Sequence, residues 1–440
     1  MPMSWAADEF LDLDLGDKRL NRRFVKMTEQ FARQPMASIP GACGGWAETQ
    51  AAYRFFADDE IDWRDILTPH WACTQRRMAE HRVVLCLQDT TELNFNGQGI
   101  AGLGRLSYEA QRGMYLHPTY AVTVDREPLG VLDAWMWARA EKGSEAADEE
   151  PSESRRWIEG YERVAEQAAS LPDTRLVYVA DREGDILELM QRAAALGHPA
   201  DWLIRAKHNR VLAKGRKLWE EATAGEPLGT LQFTLNARPG QPARRVQQDV
   251  WARRIAITAD LHVTCVVARE RHPPAGVTSL EWRLLSNREG IDFAAVTELI
   301  DWYRARWEIE LLFHVVKNAC RVEALQLSTL ARLERALAMY VVVAWRIARL
   351  MRLGRTCPDL PAELFFEPDE WKAAYILRQK PIPKQPPRLN QVLRMIASLG
   401  GFLGRKGDGE PGVKSIWLGL QRIADFALGL RYANAANFDW

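Results

Sequence analysis

Two short apolar runs constrain this chain more than any other feature: VVLCLQD at 83–89 and LVYVAD at 176–181. Both are rich in valine and leucine, too short for a core helix, and close on an aspartate. Runs of this kind read as buried strands. The stretches around them extend a sheet. YLHPTYAVTVD (115–125) and PLGVLDAWMWAR (128–139) read as a hairpin turning at Arg126-Glu127. Residues 154–170 are helical in pattern, GDILELMQRAAAL (184–196) is a helix after the second run, and DWLIRAK (201–207) is a further strand. Three antiparallel strands followed by α, β, α, β predict an α/β fold, a mixed sheet carrying helices.

The flanks differ in period. In 5–35, Leu11, Leu15, Leu20, Phe24, Met27 and Phe31 recur at helical spacing, Gly41 to Gly45 interrupt, and AETQAAYRFFAD starts a second helix over about 46–57. Residues 210–280 are rich in Gly, Pro and Arg and carry alternating strands such as LQFTLNA and HVTCVVARE, a β-rich insertion, after which EWRLLSN (281–287) resumes the core. Long helices are predicted over about 293–319 and 327–352, and RQKPIPKQPPRLN (378–390) is a linker by composition. Helices at 390–403 and 415–430 close the chain. The expected division is a helical N-terminal domain (1–62), a sheet domain with its insertion (63–355), and a linker with a helical C-terminal domain (356–440). Three domains suit 440 residues at roughly 100–200 each.

Composition excludes more than it selects. The 58 basic and 58 acidic residues cancel, so no overall basic excess points to nucleic acid. Basic stretches at 17–33, 205–217 and 372–406 and an acidic one at 141–153 are each accounted for by solvated faces. No run of about 18 apolar residues predicts a membrane span. MPMSWAADEF lacks a basic segment leading into an apolar one, so a cytoplasmic protein is expected. No CxxC pair occurs among the six cysteines and no HxxxH among the eight histidines, which predicts buried, reduced thiols and no zinc site. No GxxxxGK[ST] phosphate loop occurs, against a nucleotide-dependent metabolic enzyme.

The chemistry rests on three carboxylates. Asp89 and Asp181 stand at the ends of the two apolar strands, where a buried strand holds a carboxylate rigidly while the sheet opens to solvent. Turn formation or helix capping explains either one alone. Glu310 lies within AAVTELIDWYRARWEIELLFHVVKNACRVE. There Tyr303, Arg306, Glu310 and Lys317 follow at steps of 3, 4 and 7, which places them on one helical face between the apolar Ile300, Trp307, Leu311 and Val315. Such a stripe lines a site or forms an exposed face with Arg306 and Glu310 as an i,i+4 ion pair. Three converging carboxylates suit Mg²⁺ or Mn²⁺ and metal-assisted phosphoryl transfer.

QDTTELNF, VADREGD and the Y-x2-R-x3-E-x6-K pattern of YRARWEIELLFHVVK resemble the hairpin-forming, cut-and-paste DDE transposases of the insertion-sequence-4 family, which includes the transposase of transposon 5. GDKRLNRR and AETQAAYRF resemble that family's N-terminal domain; RMIASLGGFLGRKGDG and WLGLQRIADFALG resemble its C-terminal helices. The segment 353–390 is shorter than the family pattern.

The resemblance implies an RNase H-like fold with a β-rich insertion before the glutamate helix. It implies Asp89, Asp181 and Glu310 as a triad binding Mg²⁺, with Mn²⁺ as substitute and two ions per site. Tyr303, Arg306 and Lys317 would contact the DNA backbone near the cleaved phosphate, and Trp282 would stack a flipped base. Arg205, Lys207, His208 and Arg210, together with Arg19, Arg22 and Arg23, would hold transposon-end DNA. The implied partners are double-stranded DNA, as transposon ends and target, and a second copy in a synaptic homodimer, in a bacterial cytoplasm. The implied reaction is end cleavage through a DNA hairpin followed by joining of the 3′-OH ends to target DNA. Another RNase H-like nuclease, such as a junction resolvase, would need the carboxylates but neither the Tyr/Arg/Lys stripe nor Trp282. An inactive DNA-binding remnant is the other alternative.

Overall fold

The computed structural model describes residues 4–140, 152–213, 215–235 and 243–435; most of the acidic stretch 141–153 lies outside them. In chain order the elements are helices α1 (Trp5–Glu9), α2 (Lys18–Arg33), α3 (Ile39–Ala42), α4 (Trp46–Phe56) and α5 (Trp63–Met78). Strands β1 (Val83–Gln88), β2 (Thr91–Asn94), β3 (Gly104–Arg105), β4 (Arg112–Thr123) and β5 (Pro128–Trp137) follow. Next come α6 (Glu153–Ser170), β6 (Arg175–Ala180), α7 (Leu187–Ala195), β7 (Asp201–Arg205), α8 (Leu218–Ala222), β8 (Gly229–Leu235), β9 (Arg244–Ala256), β10 (His262–Glu270) and β11 (Glu281–Ser286). The chain then forms α9 (Phe293–Ala305), α10 (Trp307–His314), α11 (Leu330–Thr356), α12 (Pro368–Leu377), α13 (Leu389–Leu399) and α14 (Val413–Ala435).

The chain divides into two compact units, one of residues 1–77, 90–150 and 308–440, the other of 78–89 and 151–307. These units do not follow the divisions at 62 and 355. In the second unit the strands run β1-β6-β7-β11-β10-β9-β8. β1/β6 and β6/β7 are parallel; the remaining neighbours are antiparallel. The strands of the expected insertion therefore extend the main sheet beyond β7. Every residue of β1 and β6 after the first is buried, as expected for parallel strands inside an α/β sheet. β9, by contrast, alternates over its first half, with one face toward solvent.

Helix α6 buries Trp157, Ile158, Tyr161, Val164 and Ala165, and Tyr161 meets Tyr178 of β6 edge to face at 5.6 Å. Gly160 lets this helix settle on the sheet. A Cβ there would stand 1.8 Å from Gln88 Nε2. The fold is the RNase H-like α/β fold.

In the first unit β4 pairs antiparallel with β2, β3 and β5, forming the predicted hairpin. Helix α11 is buried along most of its length. Phe31 of α2 stacks on its Tyr340, ring centroids 5.6 Å apart. Arg335 donates to the carbonyls of Ile61 (2.7 Å) and Phe56 (2.9 Å), so α11 closes the C-terminal end of α4. A buried cluster joins α1, α5 and the hairpin. His70 Nδ1 lies 2.5 Å from Glu9 Oε1, Arg77 donates to both Glu9 oxygens at 2.9 and 3.0 Å, and Val131 N donates to His70 Nε2 at 3.0 Å.

Several expected elements are split. The helical pattern over 5–35 is two helices, α1 and α2, with Gly16 at φ +76 between them. The run 83–89 forms β1, and a second short strand, β2, follows past a break at Asp89-Thr90. The single helix over 293–319 breaks at Arg306, whose N–H donates three residues back to Tyr303 O (3.1 Å), and ends in a π-helical turn over Val315–Ala319. Helix α12, which no sequence period marks, precedes the proline-rich linker, and that linker is loop from 378 to 388. Among the described residues no helix is long and apolar enough to cross a membrane. All six cysteines are free, and Cys357 alone is not buried.

Candidate functional site

Register builds the site. In the parallel pair of β1 and β6, Gln88 is the partner of Ala180. Asp89 and Asp181 each follow by one residue, so they leave the sheet side by side from the carboxyl ends of neighbouring strands. Open α/β sheets place their ligands at such ends. Gln88 is locked behind them: Tyr178 OH donates to its Oε1 at 2.6 Å, and Gly160 covers its amide. Burial raises the Tyr178 phenol well above its ordinary range, and Asp181 and Asp89 push it further. Tyr178 is therefore a permanent donor.

Asp181 caps the short 3-10 turn 182–184, accepting from Glu183 N at 2.7 Å. The capping role open to it in the sequence is thus real, and it engages a single carboxylate oxygen. Asp89 takes Arg306 Nη1 at 2.5 Å, with both side chains largely buried. Tyr303, one turn before Arg306, is buried, and burial raises its phenol. Arg306 and Arg205 pull it back down and Asp181 pushes it up. These neighbours gather Asp89, Asp181, Tyr303, Arg306 and Arg205 into one region of the second unit.

The other predicted residues fall as follows. Trp282 is a half-buried residue of β11, stacked on Phe233 of β8 with centroids 5.8 Å apart and planes 10° apart. Lys207 and His208 are exposed beyond the end of β7, whereas Arg210 is turned inward, its Nη1 2.6 Å from Asp185 Oδ1. In the first unit Glu310 is half-buried on α10 and Lys317 half-buried in the π-helical turn. The segment that carries the four residues is interrupted at Arg306 and ends in a π-helical turn, where Cys320 N donates to Val315 O at 2.9 Å. Arg19, Arg22 and Arg23 are exposed on α2, lining with Ala47 and Ala51 of α4 an open groove of about 510 Å³.

Two residues of the site lie inside the motifs without being marked by them: Gln88 in QDTTELNF and Asp185 in VADREGD, four positions after Asp181. The signal for Asp185 was a second aspartate just past a glycine, and its burial is a tertiary fact.

Among the described residues no three or more His, Cys, Asp or Glu side chains stand together as a metal-binding group. Asp89 and Asp181 do supply hard oxygen donors on adjacent strand ends, the donor chemistry a divalent cation takes.

Three family models match the chain: transposase DNA-binding over residues 2–61, transposase DDE domain over 158–346, and transposase Tn5 dimerisation domain over 342–438. The chain belongs to the DDE transposases, and it resembles that of transposon 5. The match of this DDE transposase to the DDE-domain model contains Asp181, Arg205, Trp282, Tyr303, Arg306, Glu310 and Lys317. Arg19, Arg22 and Arg23 fall in the DNA-binding match, and Asp89 lies between the two. Among solved structures, a piggyBac transposase synaptic complex with hairpin DNA aligns with a TM-score of 0.36 and 7% identity, over 84% of this chain and 61% of that one.

Proposed function

We propose that this protein cuts a mobile DNA element from its flanks through a hairpin intermediate and joins the freed ends to target DNA. The observation that carries the reading is the register placing Asp89 and Asp181 side by side beyond Gln88 and Ala180. Glu310 enters as the third carboxylate through its place in the Y-x2-R-x3-E-x6-K pattern. The three residues would hold Mg²⁺, or Mn²⁺ in its place, with two ions per site. A bound divalent cation supplies Lewis acidity toward phosphodiester oxygens.

At each step one oxygen–phosphorus bond forms as another breaks. Water attacks the phosphodiester at the element's end and frees a 3′-OH. That hydroxyl attacks the opposite strand, closing a hairpin and releasing the flank. Water reopens the hairpin, and the 3′-OH then attacks target DNA. Tyr303, kept protonated by burial, has an O–H to donate, so its role is to hold a phosphate oxygen rather than to remove a proton. Arg306 offsets the charge of Asp89 beside the phosphate, and Lys317 adds a cationic contact. Trp282, backed by Phe233, offers a flat face for an extruded base.

Lys207, His208, Arg205 and the α2 arginines Arg19, Arg22 and Arg23 would hold end DNA, and residues 356–440 would pair two copies in the synaptic complex. The divisions 1–62, 63–355 and 356–440 serve in this reading as end-binding, catalytic and dimerisation parts.

The test uses a labelled duplex from the genomic end flanking the coding sequence, with Mg²⁺. The expected products are nicks followed by hairpins, absent in Asp89→Asn and Asp181→Asn although both bind the duplex. Cleavage persisting in either variant overturns the site. Nicks without hairpins favour another RNase H-like nuclease, and binding without cleavage an inactive remnant.

A further inference from the structure

The basic stretch RAKHNR is organised by a residue outside it. Asp185 follows the 3-10 turn that Asp181 caps, and its side chain is fully buried. Its Oδ2 accepts from the backbone N–H of Lys207 (2.6 Å) and of His208 (2.8 Å). Its Oδ1 stands 2.6 Å from Arg210 Nη1, an ion pair outside hydrogen-bond alignment, and its carbonyl accepts from Arg210 Nη2 at 3.1 Å. One carboxylate thus fixes two successive peptide groups and draws the third cation inward. The side chains of Lys207 and His208 are left exposed. Buried carboxylates are retained only when paired and hydrogen-bonded in this manner.

We propose that Asp185 is a positioning residue for DNA: it sets the turn 207–210 so that Lys207 and His208 meet the phosphodiester backbone at a fixed offset from Asp181, with Arg210 as its counter-ion and not a DNA contact. The proposal rests on the DNA-binding reading above. It divides a basic run that looks uniform in sequence into two presenting residues and one anchor. Because four chain positions separate Asp185 from Asp181, phosphate grip and strand-end carboxylate share one rigid turn.

The test measures affinity of the full chain for the same flanking-end duplex across a salt series, with thermal melting of every variant. Simple charge arithmetic says that removing a carboxylate near DNA tightens binding. Positioning predicts the opposite. Asp185→Asn should bind about 10-fold more weakly, with the salt slope reduced by about one counterion, as on losing one phosphate contact. Lys207→Ala should do the same alone, yet add little in the Asp185→Asn background, because the contact is already lost. Arg210→Lys, which keeps the charge, should weaken binding while Arg210→Gln weakens it no further.

If Asp185→Asn binds as tightly as the parent with an unchanged slope, or if its loss and that of Lys207→Ala simply add, the positioning role is overturned. If Asp185→Asn does not fold, Arg210→Lys against Arg210→Gln decides: a clear further loss in the glutamine variant makes Arg210 a phosphate contact and overturns the assignment. A parent protein that binds the duplex without salt dependence defeats the DNA-binding reading itself, a result distinct from either.

Discussion

At the residue scale the site is held by pairings that span the chain. Arg306 and Asp89 stand 217 positions apart in sequence and 2.5 Å apart in the fold. Their side chains are 7% and 13% exposed, so little water is left to solvate either charge alone. Removing one partner of such a pair costs more than the pair itself contributes, because the other is left uncompensated. Arg306→Ala should therefore lower the unfolding free energy by on the order of 3 kcal/mol, read from urea denaturation at neutral pH. Arg306→Lys should recover part of it, keeping the charge but not the planar fork. Equal stability of Arg306→Ala and the parent would show that the pairing carries no energy. Spacing offered Glu310 as a partner for Arg306; that Asp89 is one is a fact of the fold.

Element by element, the departures from expectation occur where packing overrides period. Tyr303, Arg306, Glu310 and Lys317 conform to a regular helix on paper, and the segment carrying them is α9, a tight turn, α10 and a π-helical turn. A hydrophobic period cannot reveal such breaks, because the apolar residues remain on schedule while the backbone bonds change partners. Helix α6 teaches the reverse lesson. Gly160 costs helix propensity of about 1 kcal/mol relative to alanine, yet it admits the Gln88 amide. Gly160→Ala should thus destabilise, by about 1–3 kcal/mol, despite its better propensity. Gln88→Ala in the same chain should recover part of the loss. Thermal denaturation of the single and double variants checks this, and a Gly160→Ala protein more stable than the parent refutes it.

Over the whole molecule, zero net charge hid the use made of arginine. Arg77, Arg210, Arg306, Arg349 and Arg352 are each set against a carboxylate, namely Glu9, Asp185, Asp89, Glu127 and Glu308. Part of the basic complement therefore stabilises the fold, and a bulk count cannot separate it from residues left to meet DNA. The buried Glu9–His70–Arg77 cluster sets the acid limit of stability. Val131 N donates to His70 Nε2, which requires that nitrogen to be unprotonated, and burial above all holds the imidazole below its ordinary 6.5. Glu9 moves from 4.5 to about 2: burial opposes the shift, and His70 and Arg77 outweigh it.

Both groups are depressed in the folded state, so their stabilisation is complete above pH 6.5 and lost on acidification. The loss begins below 6.5 as His70 resists protonation, and continues from about 4.5 toward 2 as Glu9 does. The Glu9 part amounts to on the order of 3 kcal/mol. Glu9→Gln should remove the lower step of the stability profile while lowering stability at pH 7. An unchanged profile between pH 5 and 2.5 would refute the assignment.

From sequence alone came the elements and the motif: two valine-rich strands ending in aspartate, the hairpin at Arg126-Glu127, and the Y-x2-R-x3-E-x6-K pattern. These are legible because strand propensity, turn chemistry and residue spacing are local properties of a chain. Tertiary structure alone decided that Gln88 and Ala180 are register partners, so that Asp89 and Asp181 emerge together. It also decided that Arg306 turns to Asp89 and that Arg210 is held by Asp185. Which oxygen a guanidinium meets depends on strand register and on the burial that removes competing water, and neither is written in the spacing of residues along the chain.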